Sequence, residues 1–170
     1  MKYFILLIFF TLTLFAEKKE YKLPPEPEPK INNSTLLGID SNNNGVRDDM
    51  ERWIYKTYTH PIERGIFMQS ARAYNKVITN PSKALKTKKY VDNAVSCLKY
   101  FMYESDPVPF DKYEHYSNRK KLKSIQFNTL DRRISYDKYQ KALSGGVYDM
   151  LPSSKENCEF DENGILSDIK

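Results

Sequence analysis

The sequence predicts a small all-α domain of about five helices, preceded by an apolar leader and a proline-rich stretch and closed by an irregular tail. Apolar residues recur at three- and four-residue steps in several windows after Asp48, the spacing of one helical face. Proline or glycine separates those windows near Pro61, Pro81, Pro107 and Gly145, and no internal repeat is present.

Met1-Lys2-Tyr3 leads into Phe4-Ile5-Leu6-Leu7-Ile8-Phe9-Phe10 and on to Ala16, after which the charged run Glu17-Lys18-Lys19-Glu20 begins. A short basic start, an apolar core of secretory length and a small final residue describe a signal peptide over residues 1–16. The stretch is shorter than the ~20 apolar residues a bilayer span needs, so cleavage is expected, with retention as an N-terminal anchor the alternative. The chain is therefore expected in the periplasm or outside the cell. Residues 17–35 include Leu23-Pro24-Pro25-Glu26-Pro27-Glu28-Pro29-Lys30, in which prolines fix φ and delete backbone donors. They predict an extended tether ahead of a domain spanning residues 36–170.

Within that domain, Met50, Trp53, Ile54 and Tyr58 make one apolar face, predicting a helix from Asp48 to about Tyr58. Pro61 suits a first helical turn, and Ile62, Ile66, Phe67, Ser70, Ala71, Tyr74, Val77 and Ile78 then form a broad stripe ending near Asn80-Pro81. A third helix from about Ser82 places Val91, Ala94, Val95, Leu98, Phe101 and Met102 on one side, with Cys97 at the edge. Asp106-Pro107-Val108-Pro109 stops it. A loop with Phe110, Tyr113 and Tyr116 is expected next, and helical character resumes through Arg119 to Ile125. Asn128 or Thr129 caps a last helix bearing Leu130, Ile134 and Leu143, ended by Ser144-Gly145-Gly146. From Val147 onward no helical period remains, so irregular structure with at most a short strand is expected.

The tail holds Cys158, whose only possible partner is Cys97. An even count in an oxidising compartment suggests a Cys97–Cys158 disulfide, two unpaired thiols being the alternative. Without residues 1–16 the basic total of 27 loses only Lys2, so 26 Lys and Arg face 22 Asp and Glu, a net charge of +4. That excess is too small for a dedicated nucleic-acid binder, and no nucleic acid is expected as partner.

Residues 40–51 carry the most specific chemistry: Asp40-Ser41-Asn42-Asn43-Asn44-Gly45-Val46-Arg47-Asp48-Asp49-Met50-Glu51. Side-chain oxygens fall at loop positions one, three, five, nine and twelve, glycine at six, and position seven can offer its carbonyl. A hard cation takes six to eight oxygens at roughly 2.4 Å, so a short chain must coil around it and present alternate side chains inward. Glycine permits the sharp reversal this requires. Arg47 adds an opposing charge, and Asn42 and Asn44 stand where aspartates are commoner. The competing reading is an Asx-rich turn in which Asp48 only caps the helix.

The Asp-x-Asn-x-Asn-Gly-Val-x-Asp-x-x-Glu pattern of Asp40 to Glu51 resembles the calcium loops of thrombospondin type 3 repeats, dockerins and similar exported bacterial proteins. Paired EF-hands place an aliphatic residue at position eight, where this chain has Arg47. The stretch Leu36-Leu37-Gly38-Ile39 through Trp53-Ile54 is also similar to uncharacterised exported bacterial proteins that carry a single EF-hand-like loop before a helical domain. The resemblance implies calcium as the cofactor and Asp40, Asn42, Asn44, Val46 (carbonyl), Asp48 and Glu51 as its ligands. It implies no activity. Asp161-Glu162-Asn163-Gly164 is not a second loop, because its glycine comes two positions early.

His60 and His115 have no Ser, Cys or acidic partner at a triad spacing, and no catalytic residue is nominated. Glu63, Glu104 and Glu114 offer carboxylates for a hydrolase acting on a cell-envelope polymer, the alternative function. The leading expectation is a calcium-stabilised binding or structural module of the cell envelope. Two basic clusters, Lys83, Lys86, Lys88, Lys89 and Arg119, Lys120, Lys121, Lys123, read either as solvated faces or as contacts to an anionic envelope polymer or membrane surface.

Overall fold

The computed structural model describes residues 21–107 and 110–168, so the expected signal peptide lies outside the described residues. Among those residues the fold is all-α: α1 (Pro29–Asn32), α2 (Asp48–Thr57), α3 (Pro61–Thr79), α4 (Ala84–Tyr103), α5 (Lys112–Gln126) and α6 (Leu130–Leu143). Two 3-10 turns, Pro81–Lys83 and Lys155–Asn157, complete it. The tail's strand character amounts to an isolated antiparallel bridge between Phe160 and Leu166.

The long helix α3 is the hub, with α2, α4, α5 and α6 all packed on it. Its Phe67 is fully buried, stacked on Tyr58 with centroids 4.4 Å apart and met edge-on by Trp53. Met50 and Ile54 of α2, Val77 and Ile78 of α3, Leu122 of α5 and Tyr139 of α6 join the same core. A smaller cluster gathers Ile66, Leu98 and Phe101 with Phe160 of the tail. The tail is held there by the Cys97–Cys158 disulfide and by Ser96, which donates to the Pro152 carbonyl. No cysteine is free.

Three sequence expectations need correcting. The helix expected to resume at Arg119 begins at Lys112, because the Asp111 carboxylate caps it by accepting from the Glu114 N–H. The expected buried face of α6 is also wrong: Leu130 and Ile134 are exposed, and Arg132, Ser135 and Tyr139 are buried instead. Arg132 turns inward because it donates to the carbonyls of Asn32, Thr35 and Leu36, satisfying backbone that would otherwise be buried without partners. Finally, residues 21–35 are not wholly extended. The Glu28 carboxylate caps the short α1 turn, and Arg132 fastens the following residues to the domain.

Candidate metal centre

The loop closes at its base through the Asp48 N–H, which donates to the Ile39 carbonyl at 2.8 Å. Asp40 sits at the first position, where its two carboxylate oxygens accept from the main-chain N–H groups of Asn44 and Gly45 at 3.1 and 2.8 Å. Asn43 and Gly45 take positive φ of 56° and 83°, the conformation that reverses the chain. The side-chain oxygens of Asn42 and Asn44 accept from the N–H groups of Asn44 and Val46. Val46 buries its side chain in the core beside Met50 and so anchors the loop.

Asp48 and Glu51 return from the first turn of α2. Asp48 is fully buried and accepts from both the N–H and the hydroxyl of Ser41. It therefore ties the loop across its width and does not cap α2, whose N-cap, Arg47, makes no side-chain cap bond. Glu51 is also fully buried, and its carboxylate accepts from the Asn42 amide at 3.1 and 3.2 Å, the Asn44 amide at 2.6 Å and the Tyr21 hydroxyl at 2.6 Å. Burial raises the Asp40 and Glu51 carboxyls above the ordinary range against the pull of these donors, and the neighbouring Asp48 charge adds to the rise in both.

The six nominated residues are thus gathered on one twelve-residue loop, with Glu51 facing Asn42 and Asn44 across it. Among the described residues no three His, Cys, Asp or Glu side chains cluster tightly enough to hold an ion by themselves. The Asn42 and Asn44 amides present nitrogen to Glu51 and oxygen to the main chain; a half-turn of each exchanges the two. The carboxylate, amide and main-chain groups of the loop offer oxygens, the atoms that a hard cation takes. No family model, curated protein or solved structure matches this chain.

Arg47 does not oppose charge in the loop. Its guanidinium pairs with both Asp49 oxygens at 2.5 and 3.1 Å and donates to the Ile125 and Gln126 carbonyls at the end of α5. Several residues that hold the loop escaped the sequence reading. Arg72 donates to the Asn44 carbonyl at 2.8 Å, Asn75 to the Gly45 carbonyl at 2.9 Å, and Gln126 in turn holds Asn75. The signal for Arg72 and Asn75 was a row of polar residues at three-residue steps, Gln69, Arg72 and Asn75, along α3. Tyr21 was missed because it lies in residues 17–35, where an extended tether was expected.

The other candidates are scattered. His115 is buried between Phe67 and Phe110, with Nδ1 3.7 Å from Glu63 Oε1. Glu104 accepts from Ser153, and neither Glu104 nor Glu114 lines the clefts beside the loop. The basic clusters also divide. Lys83 and Lys86 line a cleft that opens on the loop, Lys88 pairs with Asp92, and Lys120 and Lys123 lie over Tyr116 and over Tyr74 and Tyr136. Asp161 closes a tail turn by accepting from the N–H groups of Asn163 and Ile165.

Proposed function

We propose that this chain is an exported protein whose Asp40–Glu51 loop binds calcium, and that the ion stabilises a binding or structural module of the cell envelope. The observation that carries the reading is Glu51, a buried carboxylate converging with the Asn42 and Asn44 side chains of the opposite limb of the loop. Asp40, Asn42, Asn44, Asp48, Glu51 and the Val46 carbonyl would hold the ion, which supplies positive charge to carboxyls that burial now penalises. The pairing of Arg47 with Asp49 leaves the loop carboxylates uncompensated from within. The tethering of the loop to α3 through Arg72 and Asn75 suits a fixed structural site more than a sensor that opens. Export is supported by the leader pattern of residues 1–16 and by the disulfide, which persists in oxidising compartments.

Thermal unfolding of the oxidised chain in calcium and in chelator tests this. A ligand at a hundred times its dissociation constant stabilises the folded state by about 2.7 kcal/mol. Each kcal/mol moves the midpoint by about 2–4 °C in a chain of this size. Calcium should therefore raise the wild-type midpoint by several degrees and leave Asp40→Ala unmoved. Equal wild-type midpoints across millimolar calcium would remove the metal assignment.

A further inference from the structure

We propose that the cleft beside the loop, between α3 and the start of α4, binds a phosphate-bearing, hydroxylated ligand through Lys76, Lys83 and Lys86. The cleft encloses about 470 Å³ and runs from Asp40 and Gly45 past Thr79 to Lys83 of the 3-10 turn, Lys86 of α4 and Tyr90. That volume lies in the range of small-molecule sites. A second hollow of about 320 Å³ shares Arg72, Lys76 and Tyr90 with it and adds Lys89, but Glu159 and Asp168 line it too, so the cationic wall belongs to the larger cleft.

The lysines of this wall have no carboxylate partner among the described residues. Among the described residues Lys76, Lys83, Lys86 and Lys89 form no ion pair, whereas Lys88, which lines neither hollow, pairs with Asp92. Lys76 and Lys89 both lie over the Tyr90 ring, at 5.5 and 5.1 Å from its centroid. Lys83, Lys86 and Lys89 follow one another at three-residue steps where like charges repel, and no acidic residue occupies the first turn of α4. Lysines there also oppose the helix dipole. The one carboxylate on the larger wall, Asp40, is already met by the Asn44 and Gly45 N–H groups. A local arrangement that costs stability without internal return marks a surface kept for a ligand.

The ligand chemistry follows from which cations are free. The Arg72 guanidinium is committed to the Asn44 carbonyl and to Glu159, so no planar fork is left for a carboxylate. Lysine ammonium groups act as point charges and suit the compact, highly charged phosphate group. The Thr79 and Thr87 hydroxyls give their protons to helix carbonyls and remain acceptors for ligand hydroxyls. This site does not depend on calcium in the loop.

Calorimetric titration of the oxidised chain in chelator, first with inorganic pyrophosphate and then with citrate, tests the proposal. Pyrophosphate should bind one-to-one and saturably, and citrate, of similar charge, more weakly. Lys76→Gln/Lys83→Gln/Lys86→Gln should weaken pyrophosphate about tenfold at an unlowered thermal midpoint. Lys120→Gln/Lys121→Gln/Lys138→Gln, which removes equal charge elsewhere, should bind as wild type does. Equal losses in the two variants, citrate matching pyrophosphate, or no saturable binding would each overturn the site. Displacement of pyrophosphate by phosphatidylglycerol vesicles would make the source a lipid headgroup; retention would make it a soluble sugar phosphate.

Discussion

The Tyr21 hydroxyl donates to Glu51 Oε1 at 2.6 Å while its ring stacks on Tyr55 with centroids 4.6 Å apart. A residue ahead of the proline-rich stretch therefore reaches the last position of the loop and stabilises the carboxylate there. Burial and the Glu51 partner hold the phenol well above its ordinary pKa, so it stays a proton donor.

Removing that hydroxyl should cost about 2 kcal/mol in chelator, the scale of a hydrogen bond to a charged group. In calcium the loss should be smaller, since the ion takes over compensation of Glu51. Denaturant unfolding of Tyr21→Phe with and without calcium measures both, and the calcium-dependent difference should exceed that of wild type.

Protons should compete with calcium. Asp40 and Glu51 are raised in the fold, so without metal they favour it most below their ordinary pKa values of 3.8 and 4.5. That contribution is lost as pH rises through their folded values. Calcium needs the ionised forms, so the increase in midpoint that it gives should grow from pH 4 to pH 7. A calcium increment independent of pH in this window would detach these carboxyls from the site.

Arg47→Gln separates the two roles open to this residue. If Arg47 opposed the ion, the substitution would tighten calcium binding. Its pairing with Asp49 and the α5 carbonyls instead predicts unchanged calcium affinity and a loss of about 3 kcal/mol, the cost of breaking a buried pair. Calcium titration and chemical unfolding of the one variant supply both readings.

The disulfide closes a span of 61 residues, for which the chain-entropy model gives about 4 kcal/mol. Cys97→Ser/Cys158→Ser should lose about that much in denaturant unfolding. Because Cys158 lies far from Glu51 in the chain and on another element, the calcium increment should survive the loss.

The helices were legible where one apolar face met one core, as in α2, α3 and α4. They were misread where polar residues face inward: nothing in the period of α6 distinguishes Arg132 as buried, because its burial depends on carbonyls of residues 32–36 brought to it only by the fold. The same applies to the loop. Its ligand-type residues could be read from spacing, since one short segment supplies them all. Tyr21, Arg72 and Asn75 could not, since they come from elements that approach only in three dimensions. Arg47 was misjudged for a related reason: a sequence gives a charge but not the direction of a long side chain.

Arg72 gives the loop one more property. The same guanidinium holds the Asn44 carbonyl and reaches Glu159, next to the disulfide at Cys158, while Glu51 holds Tyr21. Segments from either end of the described chain are thus buckled together over a single turn of backbone. The loop clasps the two ends of the described chain.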